Sequence, residues 1–486
     1  MNSVLFINRV YPPADGATGQ LLAELAPELV RRGHRVTVVI SQPGAGVSQA
    51  KPELRNGTGS APAPGAVFRA LAENSDRVDM FQATGDRQAP QTLDARARPA
   101  TPEAGALPTL CSIDGVRVER VSGLPFTRAS HWRRALSYLS LYPALLWRAL
   151  RLPRADVIIT MTDPPLLLVL GVILKTLKGS RHVHWAQDIY PELAEEMGVL
   201  PKNGMIARAL RWISTAGLRH ADRVIAVGRC MKARLVQRGL APSAIDVIPN
   251  WGHGGNSELG MRNAESFRTE HGLNGKFVVM YSGNLGLAHP FEAMLDAAER
   301  LRSTHSQVLF LFVGNGPRLP WVREQVTQRK LENVRFLPFQ PREKLVQSLA
   351  AADLHLASML HELCGLVVPS KVYGVMSAGR PCVFLGPEES EAAQFILQNG
   401  CGSVLAKATG TRLASCLAQW AGDPALLRET RDRVEAIAGR VTLVAAVRAF
   451  SETLAKVGGS NSVQPGTKAA EKAAPLTSPL GTSPTS

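Results

Sequence analysis

Short apolar runs recur along the chain, each followed by a glycine- or proline-bearing loop and then a stretch of helical spacing. Val4–Ile7 is the first run, and the loop after it carries Pro12, Pro13, Gly16 and Gly19. From Gly19 to Arg32 the apolar residues Leu21, Leu22, Leu25, Ala26 and Leu29 mark one helical face. Gly33 stands where a helix C-cap belongs, and Val36–Ile40 is a second buried strand. Strand, glycine loop, helix and strand make a βαβ unit, the seed of a parallel sheet.

The alternation continues. Val116–Val121 predicts a strand, and residues 131–151 an aromatic and basic helix broken at Pro143. Val157–Met161 and His182–Trp185 predict strands flanking a buried helix over Leu166–Leu177. Met205–His220 is helical, and Val224–Val227 and Ile245–Ile248 are strands. A second series opens near Lys276 with FVVMYSG, VLFLFVGNGP, VRFLPF, DLHLASM and PCVFLG, separated by helical stretches. The fold class is therefore α/β, with two doubly wound Rossmann-like domains in tandem. We place the first at 1–253, with a mobile insertion over 42–110 that is poor in periodicity. The second spans 254–440. A C-terminal helix over 441–456 is a candidate to cross back to the first domain, and 457–486 reads as a disordered tail. Ligands in such sheets bind at the carboxyl ends of the strands, so the cleft between the domains is the expected site.

Composition narrows the classes. A chain of 486 residues with 45% hydrophobic and 20% charged content suits two globular domains. The longest apolar run, Leu166 to Leu174, ends at Lys175, short of the roughly 20 residues that span a bilayer. The opening MNSVLFINRVYPP reads as strand and loop and not as a signal peptide, so we expect a cytoplasmic protein. Six cysteines (111, 230, 364, 382, 401, 416) show no CxxC spacing, so we expect reduced thiols and no zinc site.

Three loops could hold a phosphate. SGNLG (Ser282–Gly286) and VGNGP (Val313–Pro317) each follow a strand, where glycines let backbone N–H groups approach an anion. Each alone is also what an ordinary tight turn looks like. In the third, Ser370 is placed to cap a helix starting at Lys371, whose ammonium adds a full charge.

Taken together, order and spacing resemble family 4 glycosyltransferases of the GT-B fold. The resemblance covers the chain apart from 42–110 and the tail. It is carried by YPPADGATGQLLAELAPELVRRGHRVTVV, WAQDIYPE (Trp185–Glu192), ADRVIAVG with DVIPNW, and the three loops; WAQDIYPE is similar to the lipopolysaccharide and exopolysaccharide branch. The resemblance implies retaining, metal-independent transfer of a sugar from a nucleotide diphosphate sugar, with uridine diphosphate expected over guanosine diphosphate and no cofactor. It implies a catalytic role for Asp188, and Glu362 and Lys371 join it as the candidates that meet two departures from the family pattern. Donor contacts would come from Gly283, Asn284, Gly286, Gly314, Asn315, Gly316, Ser370, Lys371 and Glu391. Gly16, Thr18 and Gly19 would line the diphosphate and acceptor side, and Asn250 would hold the interdomain turn. Two departures stand out. The first donor loop runs GNLGLAHPFEAM, without the Arg and Lys many relatives carry there. The two glutamates that relatives space eight apart fall at Leu366 and Gly374. Glu362 is the substitute for the sugar contact and Glu391 for the ribose contact.

Charge then acquires an address. The formal net charge is +15, of which residues 117–154 hold +7 and residues 202–238 hold +8, all in the first domain. The 131–151 stretch interleaves Arg with Trp132, Tyr138, Tyr142 and Trp147. That mixture suits an anionic headgroup region, whereas no nucleic-acid recognition motif accompanies it. We expect a polyprenyl-diphosphate-linked acceptor and peripheral contact with the inner face of the cell membrane. A nucleotide-sugar 2-epimerase and a binding or scaffold protein with a decayed donor site are the competing readings.

Overall fold

The computed structural model describes residues 2–12, 16–42, 110–124, 131–252, 257–286 and 289–458. Residues 43–109 of the expected insertion, 459–486 of the expected tail and 13–15 of the first-domain glycine loop lie outside the described residues, whereas Leu110 opens a strand and Val457 and Gly458 end the last helix, two residues beyond its expected close. Two sheets carry the fold. The first has the order β3-β4-β2-β1-β5-β6-β7-β8, built from Leu110–Ile113 (β3), Val116–Val121 (β4), Arg35–Ser41 (β2), Ser3–Ile7 (β1), Val157–Thr160 (β5), Arg181–Ala186 (β6), Arg223–Ala226 (β7) and Ile245–Val247 (β8). All its neighbours are parallel except β3 with β4. The second has the order β11-β10-β9-β12-β13-β14, built from Val334–Leu337 (β11), Val308–Val313 (β10), Phe277–Ser282 (β9), Leu354–Ser358 (β12), Cys382–Leu385 (β13) and Gly402–Leu405 (β14).

The strands are continuous apolar runs because helices cover both faces, as parallel sheets require. Alternation along β1 shows the two layers: Val4 and Phe6 join the cluster of helix Ala17–Arg31, whereas Leu5 and Ile7 join that of helix His131–Arg151. Gly33, at φ 87°, turns the chain from helix Ala17–Arg31 into β2. Helix His131–Arg151 runs unbroken through Pro143, contrary to the expected break. Its Leu141, Leu145 and Ala149 are fixed in the core beneath, and packing overrides local propensity here.

Each sheet reverses its strand order once. In the first, the chain winds outward through β2 and β4 and returns beside β1 at β5. In the second it returns beside β9 at β12. Such reversal points open crevices at the carboxyl ends of the strands.

Helix Leu443–Gly458 packs against the first sheet. Phe450 lies edge-on to Trp185 at 4.7 Å between ring centroids, and Trp185 stacks on Trp251 of the connection between the sheets at 6.1 Å. Asn2 donates to the Leu454 carbonyl, and Thr453 and Lys456 reach Asp246. Trp185, Trp251 and Phe450 are all fully buried, which at roughly 2–3 kcal/mol each makes this aromatic stack a main tie between the chain's end and its first sheet.

Candidate active site

The connection between the sheets is held at close quarters. Asn250 and Gln187 exchange amide hydrogen bonds of 2.8 and 3.0 Å, both residues being buried. Trp251 donates to Glu24 at 2.6 Å, and the Gly252 N–H donates to the Val441 carbonyl. A Cβ on Gly252 would stand 1.9 Å from the Ser377 hydroxyl and 2.5 Å from the Tyr373 carbonyl, so only glycine permits this approach.

The two domains also exchange side chains. Asp188 pairs with Val367 in an antiparallel bridge, and the Ile189 N–H donates to the Leu366 carbonyl at 2.9 Å. Leu366 is packed in the first domain's core, while Tyr190, Leu193 and Ala194 are packed in a second-domain cluster. The DIYPE segment is thus a mutual insertion that fixes where the strand ends of the two sheets meet.

On the first-domain side the reversal point holds a bidentate pair. Arg9, after β1, donates to both carboxylate oxygens of Asp163, after β5, at 2.8 and 3.0 Å. Asp188, after β6, stands next to them, 3.5 Å from the Thr162 hydroxyl. Burial, with the Asp163 charge second, pushes the Asp188 carboxyl up to about 7. Asp188 also lines a small cavity with Thr162, His184, Tyr190 and Arg238.

On the second-domain side, the SGNLG and VGNGP loops interlock. The Gly283 N–H donates to Val313, Leu285 to Asn315, and Gly314 to Leu337, while Gly316 donates to the Asn315 side chain. A Cβ at Gly314 would stand 2.1 Å from the Gly283 carbonyl, and one at Gly316 2.5 Å from that of Leu285. The close approaches at Gly314 and Gly316 pack loop on loop, and the N–H groups expected to face a phosphate are already committed: those of Gly283 and Gly314 to the ends of β10 and β11, that of Gly316 to the Asn315 side chain. Asn284 lies between Gly286 and Gly316.

Lys371 lies under this pair of loops. Its ammonium donates to the Tyr281 hydroxyl and to the Asn284 carbonyl at 3.2 Å, and sits 4.1 Å from the centre of the Tyr281 ring. A Cβ at Gly283 would meet the Lys371 stem at 2.7 Å. With no carboxylate among these contacts, desolvation pulls Lys371 down to about 7. His289 packs edge-on to Tyr281 and is bonded to Ser358 at the end of β12; burial first, then Lys371, keeps it neutral, well below its ordinary range.

Several expected residues lie elsewhere. Ser370 precedes helix Lys371–Ser377 in an α-helical conformation and its hydroxyl makes no cap bond; Ser390 caps the next helix, Glu391–Asn399, accepting from the Ala393 N–H. Glu391 is buried and accepts from the Arg229 N–H at 2.5 Å while pairing with the Arg229 guanidinium at 3.2 Å. It is an interdomain clamp, and a ribose contact would compete with that pair. Glu362 is exposed on the turn His361–Leu363. Its charge is felt at Lys202, so it stands on the rim beside the DIYPE segment. Thr18 is buried, its hydroxyl bonded to Asn8 at 3.3 Å and turned inward. Gly16 and Gly19 let the first helical turn press on Val10. Arg9, Asp163, Tyr281, His289 and Arg229 were not singled out from sequence. Only Asp163 carried a local signal, its position at a strand end before two prolines. Among the described residues, no three His, Cys, Asp or Glu side chains converge to hold a metal ion.

Comparison with known proteins follows this geometry. The pattern of the glycosyl transferase 4-like domain matches residues 58–251, and that of the glycosyl transferases group 1 matches residues 263–436. The first match extends into residues expected to be an insertion. The probable glycosyltransferase WbjE of Pseudomonas aeruginosa is 28% identical over 52% of this chain and 62% of its own length. The putative colanic acid biosynthesis glycosyl transferase WcaI of Escherichia coli is 27% identical over 46% of this chain and 55% of its own. The matched region thus spans about three fifths of these two relatives. Among solved structures, Anabaena Alr3699/HepE in complex with UDP-glucose superposes with a TM-score of 0.62 at 18% identity, covering 94% of this chain and 100% of that one. The chain belongs to the family 4 glycosyltransferases and has the GT-B fold.

Proposed function

We propose that the protein transfers a sugar from a nucleotide diphosphate sugar to a lipid-linked acceptor in bacterial cell-surface polysaccharide synthesis, with retention at the anomeric carbon and without a metal ion. The observation that carries this reading is Lys371, an ammonium with no carboxylate partner among the described residues, held beneath two interlocked loops at the reversal point of the second sheet. A cation so placed gains most when a diphosphate arrives, because the anion supplies the counter-charge that the site lacks.

In the reaction the bond from the anomeric carbon to the β-phosphate oxygen breaks. The acceptor hydroxyl oxygen bonds the same face of that carbon, and its proton passes to the departing diphosphate. Lys371 stabilises the charge developing on that diphosphate. Asp188, across the junction, is the group nearest in role to the reacting sugar, and the Arg9–Asp163 pair orients its surroundings. The relative WbjE supports a glycosyltransferase, WcaI, named for colanic acid biosynthesis, supports a polysaccharide pathway, and the UDP complexes of HepE support uridine diphosphate as the base-bearing half. We place the enzyme at the inner face of the cell membrane, where a polyprenyl-diphosphate acceptor is available to a chain in which no described helix is long and apolar enough to cross a membrane.

The test is to incubate the full chain with UDP-glucose, UDP-N-acetylglucosamine or GDP-mannose and a polyprenyl-diphosphate sugar, with and without EDTA. Product with retained anomeric configuration, undiminished by EDTA, is expected from a UDP-sugar. Neither transfer nor UDP binding with any of these donors would overturn the reading.

A further inference from the structure

Three helices of the first domain form one outer layer. Helix Leu168–Lys178 lies between helix His131–Arg151 and helix Met205–His220. Gly217 brings the last pair together, since a Cβ there would stand 1.9 Å from Leu168. None of the three contains an aspartate or glutamate. Their outward positions carry Leu139, Trp147, Leu177, Met205, Ile206 and Trp212, with Met205 88%, Trp212 73% and Trp147 59% exposed. That is half of the large apolar side chains exposed among the described residues, and it includes both of the exposed tryptophans. Cations accompany them. Arg151 stacks over Trp147 at 4.3 Å, and the exposed Arg208, one turn before Trp212, has no ion pair among the described residues.

A scatter of single apolar residues on a surface needs no explanation, but this cluster does. An outer helical layer normally mixes both signs of charge. Lys175, Arg148 and Arg211 pair with carboxylates of adjoining segments, but a layer whose own helices contain no acid and that exposes indoles, aliphatic tips and the cations Arg208 and Arg151 is complementary to a surface that is anionic at its plane and apolar just beneath. We infer that this layer, led by the first turns of helix Met205–His220, is the bilayer-docking face, taking an anionic phospholipid surface as its partner. The sequence put basic charge in both 117–154 and 202–238 but read only 131–151 as mixed aromatic and basic; the fold adds helix Met205–His220 with its three most exposed apolar side chains, Met205, Ile206 and Trp212. Met205, Ile206 and Trp212 enter the headgroup boundary, Trp147 anchors the other edge, and Arg208 and Arg151 face lipid phosphates.

This inference rests on the reading of a membrane-borne acceptor, and the test separates the two. The full chain is floated with vesicles of phosphatidylcholine alone or with about 30% phosphatidylglycerol, at low and high salt. Flotation with the anionic vesicles is expected, weakened several-fold by high salt, with tryptophan emission quenched by brominated lipid. The Ile206→Ser/Trp212→Ser double variant should bind about tenfold more weakly. Its unfolding temperature should be unchanged, because both side chains are exposed. Arg208→Glu should lose several-fold. No flotation with anionic vesicles, or undiminished flotation of the double variant, would overturn the inference. So would a concentration-dependent dimer abolished by Trp212→Ser, which would give the face to a second copy of the chain. UDP binding, measured by calorimetry on the same proteins, is unaffected by these surface changes. Failed flotation with UDP binding intact removes only the docking face, whereas absent UDP binding strikes the transferase reading.

Discussion

The two strand-end crevices are built from opposite materials and arrive at the same place. In the first domain a carboxyl, the half-buried Asp188, stands beside another carboxylate and is pushed up to about 7. In the second an amine, the half-buried Lys371, lies against an aromatic ring and a carbonyl and is pulled down to about 7. Burial penalises the charged form of either sign, so a base and a cation are both left poised near neutrality. The difference lies in their neighbours. Asp188 sits near a paired cation, Arg9, already committed to Asp163, whereas Lys371 has no carboxylate partner among the described residues. On the proposed function, the second crevice is the one that gains a counter-charge when an anion binds.

Removing the amine should break this comparison most. Lys371→Met is expected to lower transfer about 100-fold, as loss of a single charge-stabilising donor does. At pH 8 the free lysine is largely neutral, and a bound diphosphate would raise its affinity for a proton. UDP binding should therefore take up a proton, and UDP affinity should fall as pH rises from 7 to 9. Calorimetry in two buffers of different ionisation heat would read this, and Lys371→Met should abolish it. An unchanged proton uptake would place the diphosphate elsewhere.

Asp188→Asn should act next, lowering kcat about tenfold or more while UDP affinity holds. Stability separates the two groups by sign. The folded protein keeps the Asp188 proton up to about 7, while the ordinary carboxyl loses it near 3.8, so stability falls as pH climbs through that window. Lys371 is neutral above about 7 when folded but protonated to 10.5 when unfolded, so stability recovers as pH climbs beyond 7. Denaturation midpoints across pH should show Asp188→Asn flattening the acid side and Lys371→Met flattening the alkaline side.

The junction should respond more moderately. Gly252→Ala forces the linker away from Ser377 and Tyr373 and is expected to cost about 1–3 kcal/mol in thermal or denaturant unfolding. Arg229→Ala, which removes a half-exposed partner from buried Glu391, should cost about 1–2 kcal/mol. The smallest effect should come from Glu362→Gln. An exposed rim carboxylate should change kcat/KM by no more than about two-fold, within ordinary surface-substitution effects. A larger loss would restore Glu362 to the sugar.

Most strands were legible because a parallel sheet covered on both faces demands unbroken apolar runs, as in VLFLFV. The exceptions are instructive. β3 is only Leu110–Ile113 at an antiparallel edge, with alternating partial exposure, and β14 begins at a glycine. Neither offers the run that identifies a buried strand. Of the candidate site, the glycine loops were visible because each follows a strand end, Lys371 because it opens a helix after Ser370, and Asp188 because WAQDIYPE carries the family resemblance. Glu391 was read as a possible ribose ligand and Ser370 as a cap from spacing alone. Spacing carries no information about Arg229, 162 residues away in sequence, which claims the first. Nor does it fix the backbone conformation that denies the second its bond.

By itself the sequence determined the local grammar: the βα alternation, the break between two series and the loops where an anion could sit. It also placed the surplus positive charge in the first domain, since counting needs no geometry. Tertiary structure alone decided which of those N–H groups are already taken by neighbouring backbone, which carboxylate becomes a clamp, and which helices without acidic residues combine into one layer. These depend on contacts between residues tens to hundreds of positions apart, set by sheet order and close packing, and no periodicity along the chain encodes them.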